Sequence, residues 1–176
     1  MASLPRPAMR LFRALPEPVR QRAVRTIAPS YTLGAQARIV RDDGRILLVK
    51  PAYRWRWGMP GGLLDAGESP EDAVRREAIE ETGIEIELTS DPLVLVETTM
   101  QRVNFIYEAR PAPGIDPDSI RAQAAEILEI GWFALDDLPE TIPDMSQELF
   151  IRQEAPTDGP SVVVTSAMPD DLPPPD

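Results

Sequence analysis

The 176-residue sequence contains no cysteine and no histidine. Without cysteine there is no disulfide framework, thiolate nucleophile, Cys-ligated zinc or iron–sulfur cluster. Without histidine there is no Ser-His-Asp triad, no imidazole base and no His-ligated metal. Lysine is nearly missing too: of 18 basic residues only Lys50 is one, which we read as a compositional bias of the genome. No apolar run approaches the roughly 18 residues that span a bilayer, and the first residues lack the pattern of a secretory signal. A reducing cytoplasm is therefore the expected compartment. What the chain has in quantity is carboxylate, 29 Asp and Glu in all. Acid–base or metal chemistry must run on these, and carboxylate oxygens select hard cations such as Mg²⁺ or Mn²⁺.

The length suits one domain with extensions, at roughly 100–200 residues per domain. Charge divides it into three blocks. Residues 1–30 hold six arginines against Glu17 alone, a net of +5; residues 31–152 hold 12 basic and 23 acidic residues, a net of −11. Residues 153–176 hold five acidic residues, no basic one and six of the 20 prolines. We expect a basic, helical extension, an acidic catalytic body and an acidic Pro-rich tail without fixed structure. Within that tail Ser161–Thr165 has the composition of a short edge strand, the alternative at that point. The net charge of −11 argues against nucleic acid as the main partner.

In the first block Ala8, Leu11, Phe12 and Leu15 fall at the spacing of one helical face, and Val19, Ala23, Val24 and Ile27 repeat a similar pattern. Two short amphipathic helices follow, with Pro18 early in the second, where its missing N–H costs nothing. Two roles are open to them: packing on the acidic body or a second subunit, or weak contact with an anionic membrane surface.

The middle block reads as strands around one good helix. Thr32 to Arg41 is a strand, Asp42-Asp43-Gly44 a tight turn, and Ile46 to Val49 the start of a return strand. Tyr53 to Met59 alternates aromatics with arginines, which predicts a strand with Tyr53, Trp55 and Trp57 on one face. Val94–Thr99 and Val103–Ala109 form a pair around Met100-Gln101, Ile127–Phe133 is a later strand, and a short helix is expected near Pro143. The irregular order implies a mixed sheet. The helix begins after Ser69, an N-cap followed by Pro70 at the first helical position and by Glu71 and Asp72 near the positive dipole end. Gly83 stops it.

On that helix Glu77 and Glu80 are three apart and Glu77 and Glu81 four apart, so three carboxylates cluster on one side. Each like-charge contact costs about 0.2–0.5 kcal/mol, and a divalent cation would turn the repulsion into binding. Glu68 sits just before the cap, within reach of Arg76. The run from Gly62 through Glu68 and Arg76-Glu77-Ala78-Ile79-Glu80-Glu81-Thr82-Gly83-Ile84 resembles the Nudix box, G-x5-E-x7-R-E-U-x-E-E-x-G-U, without gap or mismatch over its 23 residues. Trp57-Gly58-Met59-Pro60-Gly61-Gly62 resembles the entry to the box, and Glu126 to Pro139 the usual last strand and turn.

The resemblance covers residues 31 to about 150. It implies a Nudix-type α/β fold, an α/β/α sandwich with a mixed β-sheet and the box helix at about 69–82. It implies an enzyme acting on phosphoric anhydride bonds. The expected reaction is Mg²⁺- or Mn²⁺-dependent hydrolysis of a nucleoside diphosphate linked to another moiety: a nucleotide sugar, ADP-ribose, a dinucleotide or a nucleoside triphosphate. By position, Glu77 and Glu81 are metal ligands, Glu80 a further one, and the Gly62 carbonyl an additional oxygen. Glu68 and Arg76 brace loop and helix. Glu126 matches a downstream glutamate that binds metal or activates water. The base stays open between Glu77 and Glu126, with Glu80 alongside in the catalytic group. Tyr53, Arg54, Trp55, Arg56 and Arg102 are the substrate-binding candidates, Phe105 and Tyr107 weaker ones, and Trp57 and Trp132 packing residues. A homodimer fits the resemblance. The alternative is a Nudix-like module that senses a nucleotide without cleaving it, or works at a membrane surface. Such sensing modules often lose box glutamates, and here all are present.

Overall fold

A computed structural model describes residues 12–28, 30–53, 55–140 and 161–165. The chain divides into two compact units, Met1–Tyr31 and Thr32–Asp176. In the first, helix α1 (Glu17–Ile27) carries Pro18 in its opening turn and closes with Ala28 N–H donating to the Val24 carbonyl. It matches the second of the two expected helices. Most of the first lies outside the described residues, which show a single helical turn over residues 12–14.

In the second unit the strands are β1 (Thr32–Ile39), β2 (Ile46–Pro51), β3 (Gly61–Leu63), β4 (Ile86–Leu88), β5 (Leu93–Glu97), β6 (Arg102–Pro111), β7 (Ile127–Phe133) and β8 (Ser161–Thr165). The main helix is α2 (Pro70–Thr82). Six strands make a mixed sheet in the order β3-β1-β6-β5-β8, with β4 on the far end of β6. β1 runs parallel to β6, and β3 and β5 pair antiparallel with β1 and β6 respectively. β2 and β7 form a separate antiparallel pair. The turn at Asp42-Asp43-Gly44 forms as expected, with Gly44 N–H on the Arg41 carbonyl at 2.8 Å and a φ of 81° that suits glycine. The return strand keeps only one bridge to its parent, Val40 to Ile46, and then leaves for the second sheet.

Strand periodicity puts successive side chains on opposite faces. On one face of the main sheet Ala35, Ala37, Ile39, Tyr107 and Ala109 pack with Ala73, Val74, Ala78 and Ile84 from the helix side. The small residues let α2 lie close. On the other face Leu93, Leu95 and Ile106 pack with Ile46, Leu48 and Met59. A mixed β-sheet with a helix against it is an α/β fold. The expected helix near Pro143, which would supply a further layer, lies outside the described residues.

Two strand expectations need correction. Tyr53 to Met59 is not a strand: a turn at Ala52–Tyr53 and bends at Trp55–Arg56 lead only to isolated bridges, among them Val49 to Gly58. The aromatics do not share a face. Trp55 lies 3.7 Å beneath the Arg56 guanidinium, while Trp57 meets Phe133 edge to face at 4.9 Å. The second correction concerns the tail. Ser161–Thr165 is ordered as β8, parallel to β5 from Leu93↔Ser161 to Glu97↔Thr165. Val163 joins the core there, enough to hold a five-residue edge strand that composition alone disfavours.

Candidate active site

The local sequence builds α2 as read. Ser69 Oγ accepts the Asp72 N–H at 3.1 Å, a cap that contributes about 1 kcal/mol. Gly83 ends the helix at φ 78°, a left-handed conformation that favours glycine.

Arg76 ties the loop before the helix to the helix itself. Its Nε and Nη2 donate to the two oxygens of Glu68 at 2.9 and 3.0 Å, and Nη2 also donates to the Leu63 carbonyl at 3.1 Å. Nη1 donates to Glu77 at 2.8 Å and to Glu80 at 3.2 Å. The fork and the Asp65 N–H hold the Glu68 carboxyl down to about 2. The same carboxylates push the Arg76 guanidinium further up.

The other end of the motif is different. Glu81 is 8 % exposed and its Oε2 accepts the Gly61 N–H at 2.8 Å. Burial pushes its carboxyl up to about 8; the Gly61 bond opposes this, and Glu77, Glu126 and Glu80 add to it by repulsion. Burial also raises Glu77, against the pull of Arg76. Gly61 is sterically required, since a Cβ there would lie 2.2 Å from the Ala35 carbonyl; at Gly62 a Cβ would lie 2.3 Å from Glu77 Oε1 and would displace that carboxylate.

The loop, Glu81 and the sheet surround a cavity of about 200 Å³. Its lining includes Gly61, Gly62 and Glu81 at one side, and Gly34, Gln36, Arg102 and Asn104 from β1 and β6. The register Thr32↔Arg102 and Gly34↔Asn104 puts these four on one sheet face, opposite the face that α2 covers.

The expected residues therefore do not all gather. Gly62, Glu77, Glu80 and Glu81 share the loop–helix junction, and the Glu126 carboxylate is near enough to raise Glu81. Among the substrate candidates, Tyr53 and Arg102 line the cavity, while Arg54 lies outside the described residues. Arg56 pairs with Glu140 at 3.0 Å and stacks on Trp55, and neither Trp55 nor Arg56 lines the cavity. Tyr107 is 3 % exposed and belongs to the core against α2, with Phe105 packed beside it. Trp132 packs as expected, its Nε1 donating to the Pro117 carbonyl at 2.8 Å. Lining residues that were not anticipated include Gly34, Gln36 and Asn104. No motif marks them, because they meet only through strand register.

The donor set at the junction fits a hard divalent cation. It is all oxygen, it gathers Glu77 and Glu80 beside the buried Glu81, and the Glu77 carboxylate packs directly against the Cα of Gly62. No group of three or more acidic side chains among the described residues forms a ready-made ligand cage. The reason is visible: Glu77 and Glu80 are drawn onto Arg76, which supplies the local positive charge.

Fold and site together define a class: a mixed-sheet α/β hydrolase domain whose carboxylate-bearing helix follows a glycine loop. The NUDIX domain model matches residues 31–152, and the chain belongs to the NUDIX family, hydrolases of phosphoric anhydride bonds. The chain is 31% identical over 120 residues to a MutT-like protein of Streptomyces ambofaciens, covering 68% of this chain and 75% of that protein. It is 33% identical over 101 residues to the 8-oxo-dGDP phosphatase NUDT18 of Homo sapiens, covering 56% of this chain but only 31% of that one. The crystal structure of a MutT NUDIX hydrolase from Burkholderia pseudomallei superposes with a TM-score of 0.60 at 33% identity, over 72% of this chain and 99% of that one. Members of the family generally use divalent metal ions. No helix among the described residues is long and apolar enough to cross a membrane.

Proposed function

We propose that residues 31–152 hydrolyse a nucleoside diphosphate linked to another moiety, with Mg²⁺ or Mn²⁺ as cofactor. The observation that carries this reading is Glu81: a buried carboxylate under repulsion from Glu77, Glu80 and Glu126, at the rim of a cavity. The Gly62 carbonyl, Glu77, Glu80 and Glu81 are the residues that would hold the cation. When bound, it supplies charge neutralisation and Lewis acidity at the phosphoryl oxygens.

The chain's own groups do the rest. Arg76 and Glu68 fix the loop, so the Gly62 carbonyl and Glu77 keep their places. A glutamate of the group Glu77, Glu80 and Glu126 takes a proton from the attacking water. Water adds at one phosphorus, the bridging P–O bond breaks, and its electron pair leaves with the other phosphate. The products are a nucleoside monophosphate and a phosphorylated moiety. The human relative is named for 8-oxo-dGDP, which supports a nucleotide substrate. Tyr53 and Arg102 line the cavity, which supports assigning them to the part of the substrate beyond the phosphates. We further assign 1–30 as a basic extension able to make weak contact with an anionic membrane surface, a homodimeric state, and a cytoplasmic setting for the enzyme.

A metal-dependent screen across nucleotide sugars, ADP-ribose, dinucleotides and nucleoside triphosphates tests the reaction, with products identified by mass. The expected result is a monophosphate plus a phosphorylated product from at least one class, only when Mg²⁺ or Mn²⁺ is present. Tight binding with no product over hours would instead favour a nucleotide sensor.

A further inference from the structure

The cavity wall carries a polar pair that phosphate and metal chemistry leave unused. Asn104 is 5 % exposed and Glu97 4 %, and Asn104 Nδ2 donates to Glu97 Oε2 at 2.8 Å. A carboxylate accepts and an amide nitrogen donates, so this contact decides which end of the amide faces which way. The other end, Oδ1, lies over Gly34, where a Cβ would stand 2.6 Å from it. The missing side chain at 34 is what leaves that acceptor its place. Gly34 and Asn104 both line the cavity shared with Gly61, Gly62 and Glu81. On the same sheet face Gln36 Oε1 is buried without a hydrogen-bond partner.

Burying an amide against a carboxylate is unfavourable unless both are satisfied. The fold does not require it here, since Leu95 and Ile106 fill neighbouring positions of the same face with apolar side chains. A floor of oriented acceptors beside a phosphate-reading loop has a use if the ligand brings donors.

We propose that Asn104 is a specificity-determining residue, its Oδ1 accepting a hydrogen bond from an N–H or O–H of the nucleoside, and that Glu97 is the positioning residue that holds the amide in that orientation. This rests on the nucleotide reading above. The donor has two sources, an exocyclic amine of the base or a hydroxyl of the ribose. An analogue without it leaves Oδ1 buried and unpaired, which separates matched substrates by about tenfold or more.

The test uses the full-length protein with Mg²⁺ and nucleotides that differ by one donor: GTP against ITP, ATP against purine riboside triphosphate, and ribose against 2′-deoxy and 3′-deoxy forms. The readout is the ratio of kcat/KM within each pair. The wild type separates at least one pair by about tenfold or more, a base pair if the donor is an amine and a sugar pair if it is a hydroxyl. That ratio falls to near one in Asn104→Leu. It also falls in Gly34→Ala, whose Cβ displaces Oδ1; the same Cβ comes within 3.3 Å of the Gly62 carbonyl, which lowers both members of a pair alike and leaves the ratio to report on Oδ1. In Glu97→Gln it falls part way, because the new amide lets Asn104 turn round. A merely structural role lowers both members of a pair equally and leaves the ratio alone. Flat ratios in the wild type, or an unchanged ratio in Asn104→Leu, overturn the proposal; if that variant does not fold, Gly34→Ala decides in its place. Hydrolysis of neither these nucleotides nor any class of the wider screen overturns the nucleotide reading and this proposal with it, whereas hydrolysis with flat ratios overturns this proposal alone.

Discussion

Glu68 and Glu81 stand at opposite ends of one loop-and-helix motif, and their surroundings separate them completely. Glu68 meets a guanidinium fork and a backbone N–H, and its carboxyl sits at about 2. Glu81 is buried with a single backbone donor, repelled by three other glutamates, and its carboxyl rises to about 8. The first end is electrostatically finished. The second end crowds three further glutamates around a carboxyl that keeps its proton at neutral pH. One residue type thus serves as a brace at one end and, in our proposal, as a cation ligand at the other.

The largest expected effect comes from removing charge at the unfinished end. Glu81→Gln or Glu77→Gln lowers metal-dependent kcat by about 10³-fold, within the span of acid–base and electrostatic contributions. For Glu81→Gln the melting temperature of the metal-free protein holds at neutral pH, where the wild-type carboxyl keeps its proton, and exceeds that of wild type as pH passes about 8. Near-normal turnover in either variant at saturating Mg²⁺ breaks the comparison. At the finished end Arg76→Gln should cut activity by about 10–100-fold, the scale of losing a group that orients metal ligands. Its melting temperature falls, because Glu68 and Glu77 lose their partner. Arg76→Lys should not restore either readout, as an ammonium cannot make the two-pronged contact. Steady-state kinetics and thermal melts on the same preparations check both ends.

A smaller effect lies in the pH dependence of the metal-free protein. Glu81 is raised from 4.5 to about 8. The folded chain therefore keeps a proton that the unfolded chain has lost across that window. Stability falls as pH rises from 4.5 to 8. Glu68 is lowered from 4.5 to about 2, so its contribution is present above 4.5 and is lost as pH falls towards 2. Solvent screening weakens that second limb. Melts from pH 4 to 9 in chelator should show the high-pH decline in wild type and a flatter profile in Glu81→Gln. An equal decline in both sinks the assignment.

The box was legible because its information is local. Ser69, Pro70 and Gly83 each act on the backbone within a turn of themselves, and Glu68 reaches Arg76 across a single loop. The strand signal failed where side chains found other partners. At residues 53–59 the aromatic–arginine alternation is spent on stacking and on Phe133, so no ladder forms. Register was invisible altogether. Nothing in the sequence says that Gly34 sits opposite Asn104 on a parallel neighbour, or that Val163 of the tail finds a place in the core. The motif end of the site was therefore readable, while the cavity floor that we propose meets the rest of a substrate was not. Tyr107 shows the same blindness: its place on the strand looked available to a ligand, yet period two turns it under α2.

The central claim is that the Glu81 end awaits a cation. Titration calorimetry of Mn²⁺ into the metal-free protein at pH 7, run in two buffers of different ionisation enthalpy, measures this directly. Because the Glu81 carboxyl sits at about 8, metal binding must displace its proton. The account predicts binding to wild type with close to one proton released, and loss of both the binding and the release in Glu81→Gln. Equal affinity and equal proton release in the two proteins would contradict it.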